Sequence, residues 1–195
     1  ILPKIETLIG HKLNFPHYVT VGGQSTGKSS VLEAILGIEV FPKGDFMVTR
    51  RPLKLVLQYE PNSSWVEFGD REKYYNISEV RERILYENSE IDGVSPEPLV
   101  VNVFSPNAYN LTVLDLPGII ENVDTTQGYS ENIPELIADI TTTSLEDSNA
   151  IILAVSDASR DLEASRAITY VKSGERRDRT IGILTKTDLE RNKTK

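Results

Sequence analysis

Short apolar runs recur along this chain, separated by segments in which apolar residues lie three or four positions apart. Ala150–Val155 is apolar throughout, which is typical of a strand buried on both faces of a sheet. Thr180–Leu184 predicts a second buried strand, and His17–Val21 predicts a further short one. Pro134–Asp147 and Leu162–Lys172 have the apolar spacing of helices. Because strands alternate with helices, the pattern predicts right-handed crossovers and a mainly parallel sheet.

The middle of the chain has a different pattern and is the predicted place of antiparallel strands. Leu53–Tyr59 largely alternates between apolar and polar residues, which predicts a half-buried strand, and Trp65–Phe68 could pair with it across a turn. Asn76–Asn88 predicts a helix, and Leu99–Phe104 and Leu111–Leu114 predict two more strands. The predicted fold class is therefore α/β, with a mainly parallel, doubly wound sheet, helices on both faces and an antiparallel addition.

Composition narrows the function classes. The 195 residues suffice for one domain with a hydrophobic core. A net charge of −8 argues against sequence-independent nucleic-acid binding, which usually requires a basic surface. The absence of cysteine excludes disulfides and thiolate metal sites. No apolar run approaches the roughly 20 residues needed to span a bilayer.

The first predicted strand is followed by Gly22–Ser30, which fits the phosphate-binding pattern G-x-x-x-x-G-K-[ST]. Glycines allow backbone N–H groups to turn toward a phosphate without a clash from a Cβ atom. The start of the following helix adds partial positive charge. Lys28 would then reach the β- and γ-phosphates, and the Ser29 hydroxyl would bind Mg²⁺. A strand before the loop and a helix after it are the context that this pattern requires.

Two further segments are more informative because this chain also has the phosphate-binding loop Gly22–Ser30, called the P-loop below. Asp115–Gly118 follows an apolar strand and fits D-x-x-G. Asp115 could therefore hold Mg²⁺ through water, and the Gly118 N–H could contact a γ-phosphate. Thr49 lies in a loop that contains proline and glycine, and it could bind Mg²⁺ by its hydroxyl and the γ-phosphate by its N–H. Such a loop would be ordered only with a triphosphate, although each segment taken alone also fits an ordinary turn.

Thr185–Asp188 follows another predicted strand and fits [NT]-K-x-D, a loop that reads guanine. Asp188 could accept hydrogen bonds from the ring N–H and the exocyclic amine, while the Lys186 stem lies along the base. Adenine offers no such pair of donors, so a P-loop kinase or ATPase is disfavoured. The predicted nucleotide contacts are Gly23, Gln24, Ser25, Thr26, Gly27, Lys28, Ser29, Ser30, Gly118, Thr185, Lys186 and Asp188.

Together these segments resemble the GTPase domain of the dynamin superfamily, from about residue 17 to 190. The specific points are the Gln24-Ser25 pair in the P-loop and the T-R-R-P sequence at Thr49–Pro52. The other points of likeness are Phe41–Gly44, Asp115–Gly118, Leu153–Ser156, Asp161-Leu162 and Thr185–Asp188. The resemblance implies a P-loop GTPase fold, with residues 15–195 as a dynamin-type GTPase domain lacking its C-terminal part. Phe41–Arg51 and Val94–Pro98 are mildly similar to the mitochondrial inner-membrane fusion branch, and the branch stays open.

The resemblance also implies a catalytic arrangement. Small Ras-like GTPases orient water with a Gln directly after D-x-x-G, where this chain has Ile119. Gln24 and Ser25 would instead place the water and a monovalent cation, Na⁺ or K⁺, in a site completed when two domains face each other. Phe46 stands where many dynamins have a glycine whose carbonyl binds that cation, and it tolerates fewer backbone angles. The expected catalytic residues are Gln24, Ser25, Lys28 and Thr49, and the expected Mg²⁺ residues are Ser29, Thr49 and, through water, Asp115.

Residues 1–14 carry an apolar stripe that predicts a helix, formed by Leu2, Ile5, Ile9 and Leu13. The helix either packs on its own domain or, as the resemblance implies, joins a helical bundle. The expected function is GTP hydrolysis, stimulated by dimerisation and coupled to membrane fission or fusion. The expected partners are GTP or GDP, a second copy, and a membrane reached through other parts of the protein, with no nucleic acid. The expected location is membrane-associated, cytoplasmic or mitochondrial, and the alternative function is a nucleotide-switched interaction module with negligible turnover.

Overall fold

The structure is a computed structural model of the chain, and it describes residues 16–42, 49–121, 130–172 and 174–190. The predicted helix at residues 1–14 lies outside the described residues, so both alternatives for it stay predictions. The segment Gly44-Asp45-Phe46, on which the monovalent-cation expectation depends, also lies outside them. Within the described ranges, the structure contains no helix that is both long and apolar enough to cross a membrane.

Eight strands form one sheet, and six α-helices are described. The strands are β1 His17–Val21, β2 Leu53–Tyr59, β3 Trp65–Glu67, β4 Lys73–Tyr74, β5 Leu99–Ser105, β6 Leu111–Asp115, β7 Ala150–Asp157 and β8 Thr180–Thr185. The helices are α1 Lys28–Leu36, α2 Ile77–Ser89, α3 Ile133–Glu146, α4 Arg166–Val171, α5 Glu175–Asp178 and α6 Thr187–Glu190, and a 3-10 turn spans Leu162–Ala164.

The sheet has the strand order β4-β3-β5-β2-β6-β1-β7-β8. β6, β1, β7 and β8 run parallel to one another, whereas β2 is antiparallel to β6 and parallel to β5. Leu53 at the start of β2 lies opposite Asp115 at the end of β6. The predicted fold class, a mainly parallel α/β sheet with an antiparallel addition, is confirmed.

The hydrophobic core lies on both faces of the sheet. On one face, α1 and α2 bury Leu32, Val80 and Ile84 against β2, β5 and β6. On the other face, α3 and α4 bury residues such as Ile137 and Ala167 against β1 and β7. This arrangement follows from the apolar runs, since a strand that is apolar on both sides must be covered on both sides. The helices on both faces are therefore as predicted.

The predicted pairing of Trp65–Phe68 with β2 is wrong. β3 instead pairs antiparallel with β5, with Trp65 opposite Phe104. The two rings stack with their centroids 4.6 Å apart, an arrangement that adds to the stability of a cross-strand pair. Both edges of β2 are already paired, one with β5 and one with β6, so β2 has no edge left for β3.

Two predictions near the C-terminal end of the described chain are also wrong in part. β8 forms where expected, but it lies at the sheet edge, and Ile181 and Leu184 are each 51% exposed rather than buried. The helix predicted over residues 162–172 is interrupted at Ser165, whose ψ of 122° is extended. Ser165 instead shares a 2.5 Å hydrogen bond between hydroxyls with Ser156 of β7, which fixes the start of α4.

Candidate nucleotide-binding site

The predicted motifs meet at one edge of the sheet. β1, β6, β7 and β8 are parallel neighbours, so their carboxyl ends lie side by side. The chain leaves β1 for α1 on one face and reaches β7 from α3 on the other face. This reversal is the position at which open α/β sheets bind ligands. The loops that follow Val21, Asp115 and Thr185 therefore share the expected ligand site.

The P-loop is closely fitted to its surroundings. A Cβ atom at Gly22 would lie 2.5 Å from the Val155 carbonyl oxygen, so a larger residue would displace the backbone of β7. Gly27 has a φ of +90°, which L side chains rarely adopt, and it immediately precedes α1. Lys28, the first residue of α1, is buried and donates a 3.1 Å hydrogen bond to the Gly23 carbonyl. The loop thus encloses an ammonium group at the start of a helix.

Asp115 lies at the centre of a buried polar group beside this loop. Its carboxylate accepts hydrogen bonds from the hydroxyls of Thr20, at 2.7 Å, and Ser29, at 3.0 Å. Burial raises the pKa of Asp115, while Lys28 and the two hydroxyls act in the opposite direction. Burial likewise lowers the pKa of Lys28, and Asp115 opposes that shift. A nearby carboxylate and hydroxyl match the hard oxygen ligands that Mg²⁺ prefers, so the residues present fit that ion.

The D-x-x-G segment lies directly against the P-loop. The Ile119 N–H donates to the Gly22 carbonyl at 3.0 Å, and the Gln24 N–H donates to the Ile119 carbonyl at 3.3 Å. A Cβ atom at Gly118 would lie 2.8 Å from the Gln24 Cα, so glycine is required for this close approach. The side chains of Gln24 and Ser25 are exposed, and Ile119 is buried.

Thr49 precedes β2, whose first residue lies at the same edge of the sheet. It lies four residues before Leu53, the register partner of Asp115. The next residue, Arg50, is held in place because its N–H donates to the Asn88 side chain at 3.0 Å and its guanidinium donates to the Ile91 carbonyl at 3.0 Å. The T-R-R-P segment is therefore anchored to the end of α2 and the loop after it.

The predicted base-reading loop, Thr185–Asp188, is connected to the P-loop by a side-chain hydrogen bond. The Thr185 hydroxyl donates to the Thr26 carbonyl at 2.5 Å, so the end of β8 contacts the phosphate loop. Lys186 has a φ of 55°, and its ammonium pairs with the Asp157 carboxylate at 2.8 Å. Asp188 is exposed at the start of α6.

Sequence reasoning missed two side chains of this site, Thr20 and Asp157. Thr20 lies within the predicted strand His17–Val21, whereas Asp157 lies two residues beyond the predicted strand Ala150–Val155, at the observed end of β7. Neither residue belongs to a motif. The only sequence signal was position, because polar residues at the carboxyl end of a parallel strand face the ligand edge. Thr20 bonds to Asp115 at the end of the neighbouring strand β6, and Asp157 bonds to Lys186 just after the neighbouring strand β8. These pairings follow from the strand order, which the sequence alone did not reveal.

Comparisons with known proteins identify the family of the chain. Residues 19–187 match the model of the dynamin family. The chain belongs to the dynamin family. The prediction of a dynamin-type GTPase domain, made from the motifs, is confirmed at the level of the family.

Individual dynamins match over part of the chain. The mitochondrial dynamin-like GTPase MGM1 of Saccharomyces cerevisiae is 43% identical over 129 residues, covering 62% of this chain and 14% of that protein. Dynamin-A of Dictyostelium discoideum is 40% identical over 127 residues, covering 58% and 15%. Dynamin-2 of Rattus norvegicus is 42% identical over 113 residues, covering 55% and 13%. The chain thus spans about one seventh of the length of these relatives, mitochondrial and other dynamins alike.

Proposed function

We propose that this domain binds GTP and GDP at the carboxyl edge of the sheet and hydrolyses GTP. The observation that carries the proposal is that hydrogen bonds join the three motifs at one place. Ser29 of the P-loop bonds to Asp115, Ile119 bonds to Gly22 and Gln24, and Thr185 bonds to Thr26. The segments proposed to bind the phosphates, to contact the γ-phosphate and to read the base are therefore adjacent, which supports a single site for a guanine nucleotide.

Each part of the nucleotide has residues suited to it. The Lys28 ammonium and the N–H groups at the start of α1 attract the β- and γ-phosphates. Ser29, Thr49 and, through water, Asp115 would hold Mg²⁺, which neutralises phosphate charge when bound. The buried Thr20 hydroxyl fixes one oxygen of Asp115, so the other oxygen keeps its orientation toward Ser29. Asp188 would accept two hydrogen bonds from guanine.

Hydrolysis requires a group that orients water, and Ile119 cannot supply one. Gln24 and Ser25 have exposed side chains at the tip of the P-loop, where Gly118 allows the D-x-x-G backbone to approach. They would place the attacking water, with Thr49 holding it from the other side. A monovalent cation, Na⁺ or K⁺, would assist, and a second copy facing this site would complete it. The whole protein would use this cycle to remodel a membrane, in the cytoplasm or in mitochondria.

The base specificity can be tested by replacing the Asp188 carboxylate with an amide, which exchanges one acceptor oxygen for an NH₂ donor. Asp188→Asn keeps an acceptor for the ring N–H but places a donor against the guanine amine. We expect the affinity for GTP to fall by about 3 kcal/mol, roughly 100-fold. The affinity for xanthosine triphosphate should rise, because xanthine has a carbonyl at that position. Calorimetric titration of both nucleotides measures this exchange.

The matched control is Asp178→Asn, which changes another exposed carboxylate at the end of α5. It should leave both affinities as in the parent. Equal GTP affinity in Asp188→Asn and the parent would remove Asp188 from the site.

A GTP hydrolysis assay distinguishes a GTPase from the alternative, a nucleotide-switched interaction module with negligible turnover. Hydrolysis is followed across protein concentrations in sodium, potassium and choline salts. A rate per molecule that increases with concentration and depends on the cation supports dimerisation-stimulated hydrolysis. GTP binding with no turnover under every condition favours the interaction module.

A further inference from the structure

Asp157 is a buried carboxylate to which the proposed function assigns no role. It ends β7, and its register partner in β8 is Thr185, the first residue of the base-reading loop. One carboxylate oxygen accepts from the Lys186 ammonium at 2.8 Å. The other accepts from the Ser159 N–H at 2.9 Å and from the Ser159 hydroxyl at 2.7 Å. Both oxygens of Asp157 therefore accept hydrogen bonds within the protein.

Lys186 needs such a partner in order to keep one conformation. Its side chain is 38% exposed, whereas that of Asp157 is only 5% exposed. A lysine has four rotatable side-chain bonds, and holding it in one rotamer costs conformational entropy. Its backbone also has a φ of 55°, which persists in a non-glycine residue when the surroundings fix it. The carboxylate, itself held by Ser159, is a fixed point at which the ammonium can be anchored.

We propose that Asp157 is a positioning residue for guanine recognition, acting through Lys186. By anchoring the ammonium, it holds the aliphatic stem of Lys186 at the place where the face of the base would lie. Asp188 is then left to read the edge of the base. This inference rests on the proposed function, because it concerns the same site.

The electrostatics support the anchoring. Hydrogen bonds from Lys186 and Ser159 hold the pKa of Asp157 well below its usual range, so the carboxylate stays ionised at neutral pH. An ionised, largely buried carboxylate favours a partner that carries a full positive charge. Asparagine at position 157 would keep the shape and the turn but lose this charge.

A double-mutant cycle tests whether Asp157 acts through Lys186. The dissociation constant of GDP is measured by titration of a fluorescent analogue for the parent, Asp157→Asn, Lys186→Met and the double variant. We expect Asp157→Asn to weaken binding about tenfold in the parent background and less than twofold beside Lys186→Met. A residue that only stabilises the turn would have the same effect in both backgrounds.

The matched control is Asp147→Asn, at the other end of β7. Asp147 makes the same turn, accepting from the N–H of Asn149 two residues later at 2.9 Å, but it is remote from the base-reading loop. It should leave GDP affinity unchanged. Asp157→Ser provides a second version of the cycle, and thermal unfolding of each variant reports whether it is folded.

The outcomes separate this inference from the proposed function. Equal losses in the two backgrounds, with GDP binding by the parent intact, overturn the role of Asp157 and leave the proposed function standing. A parent that binds no guanine nucleotide overturns both. Loss of the Asp157→Asn effect in the Lys186→Met background supports the inference.

Discussion

Two charged residues, Lys28 and Asp115, are buried at the centre of the candidate site. Their exposed fractions are 8% and 1%, and burial disfavours the charged form of each. Their mutual attraction offsets part of that cost, and hydroxyls from Thr20 and Ser29 offset more for the carboxylate. Neutralising one member therefore leaves the other with an uncompensated buried charge, which is strongly destabilising.

Ser25 and Lys28 should differ in what their removal damages. Ser25→Ala should reduce single-turnover hydrolysis about 100-fold, while GTP affinity stays within about twofold, because its interaction forms mainly in the transition state. Lys28→Ala should instead weaken GTP binding itself. Rapid-quench hydrolysis and equilibrium titration, performed on a protein that dimerises, measure the two quantities. Unchanged hydrolysis in Ser25→Ala would show that water is oriented by another group.

Asp157 should also affect the dependence of stability on pH. Its pKa in the folded chain is lowered from the ordinary 3.8 by Lys186 and Ser159. Parent and Asp157→Asn should therefore differ most in melting temperature above pH 3.8, and the difference should shrink as the pH falls below it. Thermal unfolding from pH 7 to pH 3 measures this trend. A difference that grows on acidification would contradict the lowered pKa.

Among the elements, the junction between α2 and the T-R-R-P segment depends on Asn88. This buried side chain accepts from the Arg50 N–H at 3.0 Å and donates to the Ile84 carbonyl at 2.9 Å. Asn88→Ala should lower the free energy of unfolding by about 1–3 kcal/mol, because the two hydrogen bonds of this buried side chain, to Arg50 and Ile84, are lost. It should also slow GTP hydrolysis by displacing Thr49.

Denaturant unfolding and a hydrolysis assay check the Asn88 prediction. Ser89→Ala is the control, since the exposed Ser89 hydroxyl donates only within its own helix, to the Tyr86 carbonyl. If both variants unfold at the same denaturant concentration as the parent, Asn88 is not the anchor.

The elements also show how far sequence reasoning extends. Apolar periodicity located β1 and β2 to the residue, because strand bounds depend on local pattern. It misplaced the partner of β3, because pairing is decided by cross-strand contacts such as Trp65 against Phe104. It also misjudged β8, whose apolar composition resembles that of β7 although it lies at the edge. Motifs predicted most residues of the candidate site, whereas Thr20 and Asp157 could be assigned to it only from the strand order.

At the scale of the whole molecule, β8 is the outermost strand at one edge of the described sheet, and its Ile181 and Leu184 side chains are each 51% exposed. Edges of this kind are templates for association with another chain. The double variant Ile181→Thr with Leu184→Thr should reduce concentration-dependent self-association of this chain, while threonine preserves strand propensity. Sedimentation velocity measures the effect. Leu85→Gln, at a helix position that is 45% exposed, is the control, and an equal reduction there would show that the edge is not responsible.

The antiparallel insertion of β2 has a mechanical consequence for the whole sheet. Leu53, which follows the T-R-R-P segment, and Asp115, the first residue of the D-x-x-G turn, are opposite residues of one ladder. A ladder of backbone hydrogen bonds resists sliding, because a shift by one residue would exchange the faces of every side chain. The T-R-R-P segment and the D-x-x-G turn, which are proposed to flank the γ-phosphate, are therefore mechanically coupled through this ladder. A pull on either segment is expected to move β2 and β6 as one body, carrying β5 along on the far side of β2.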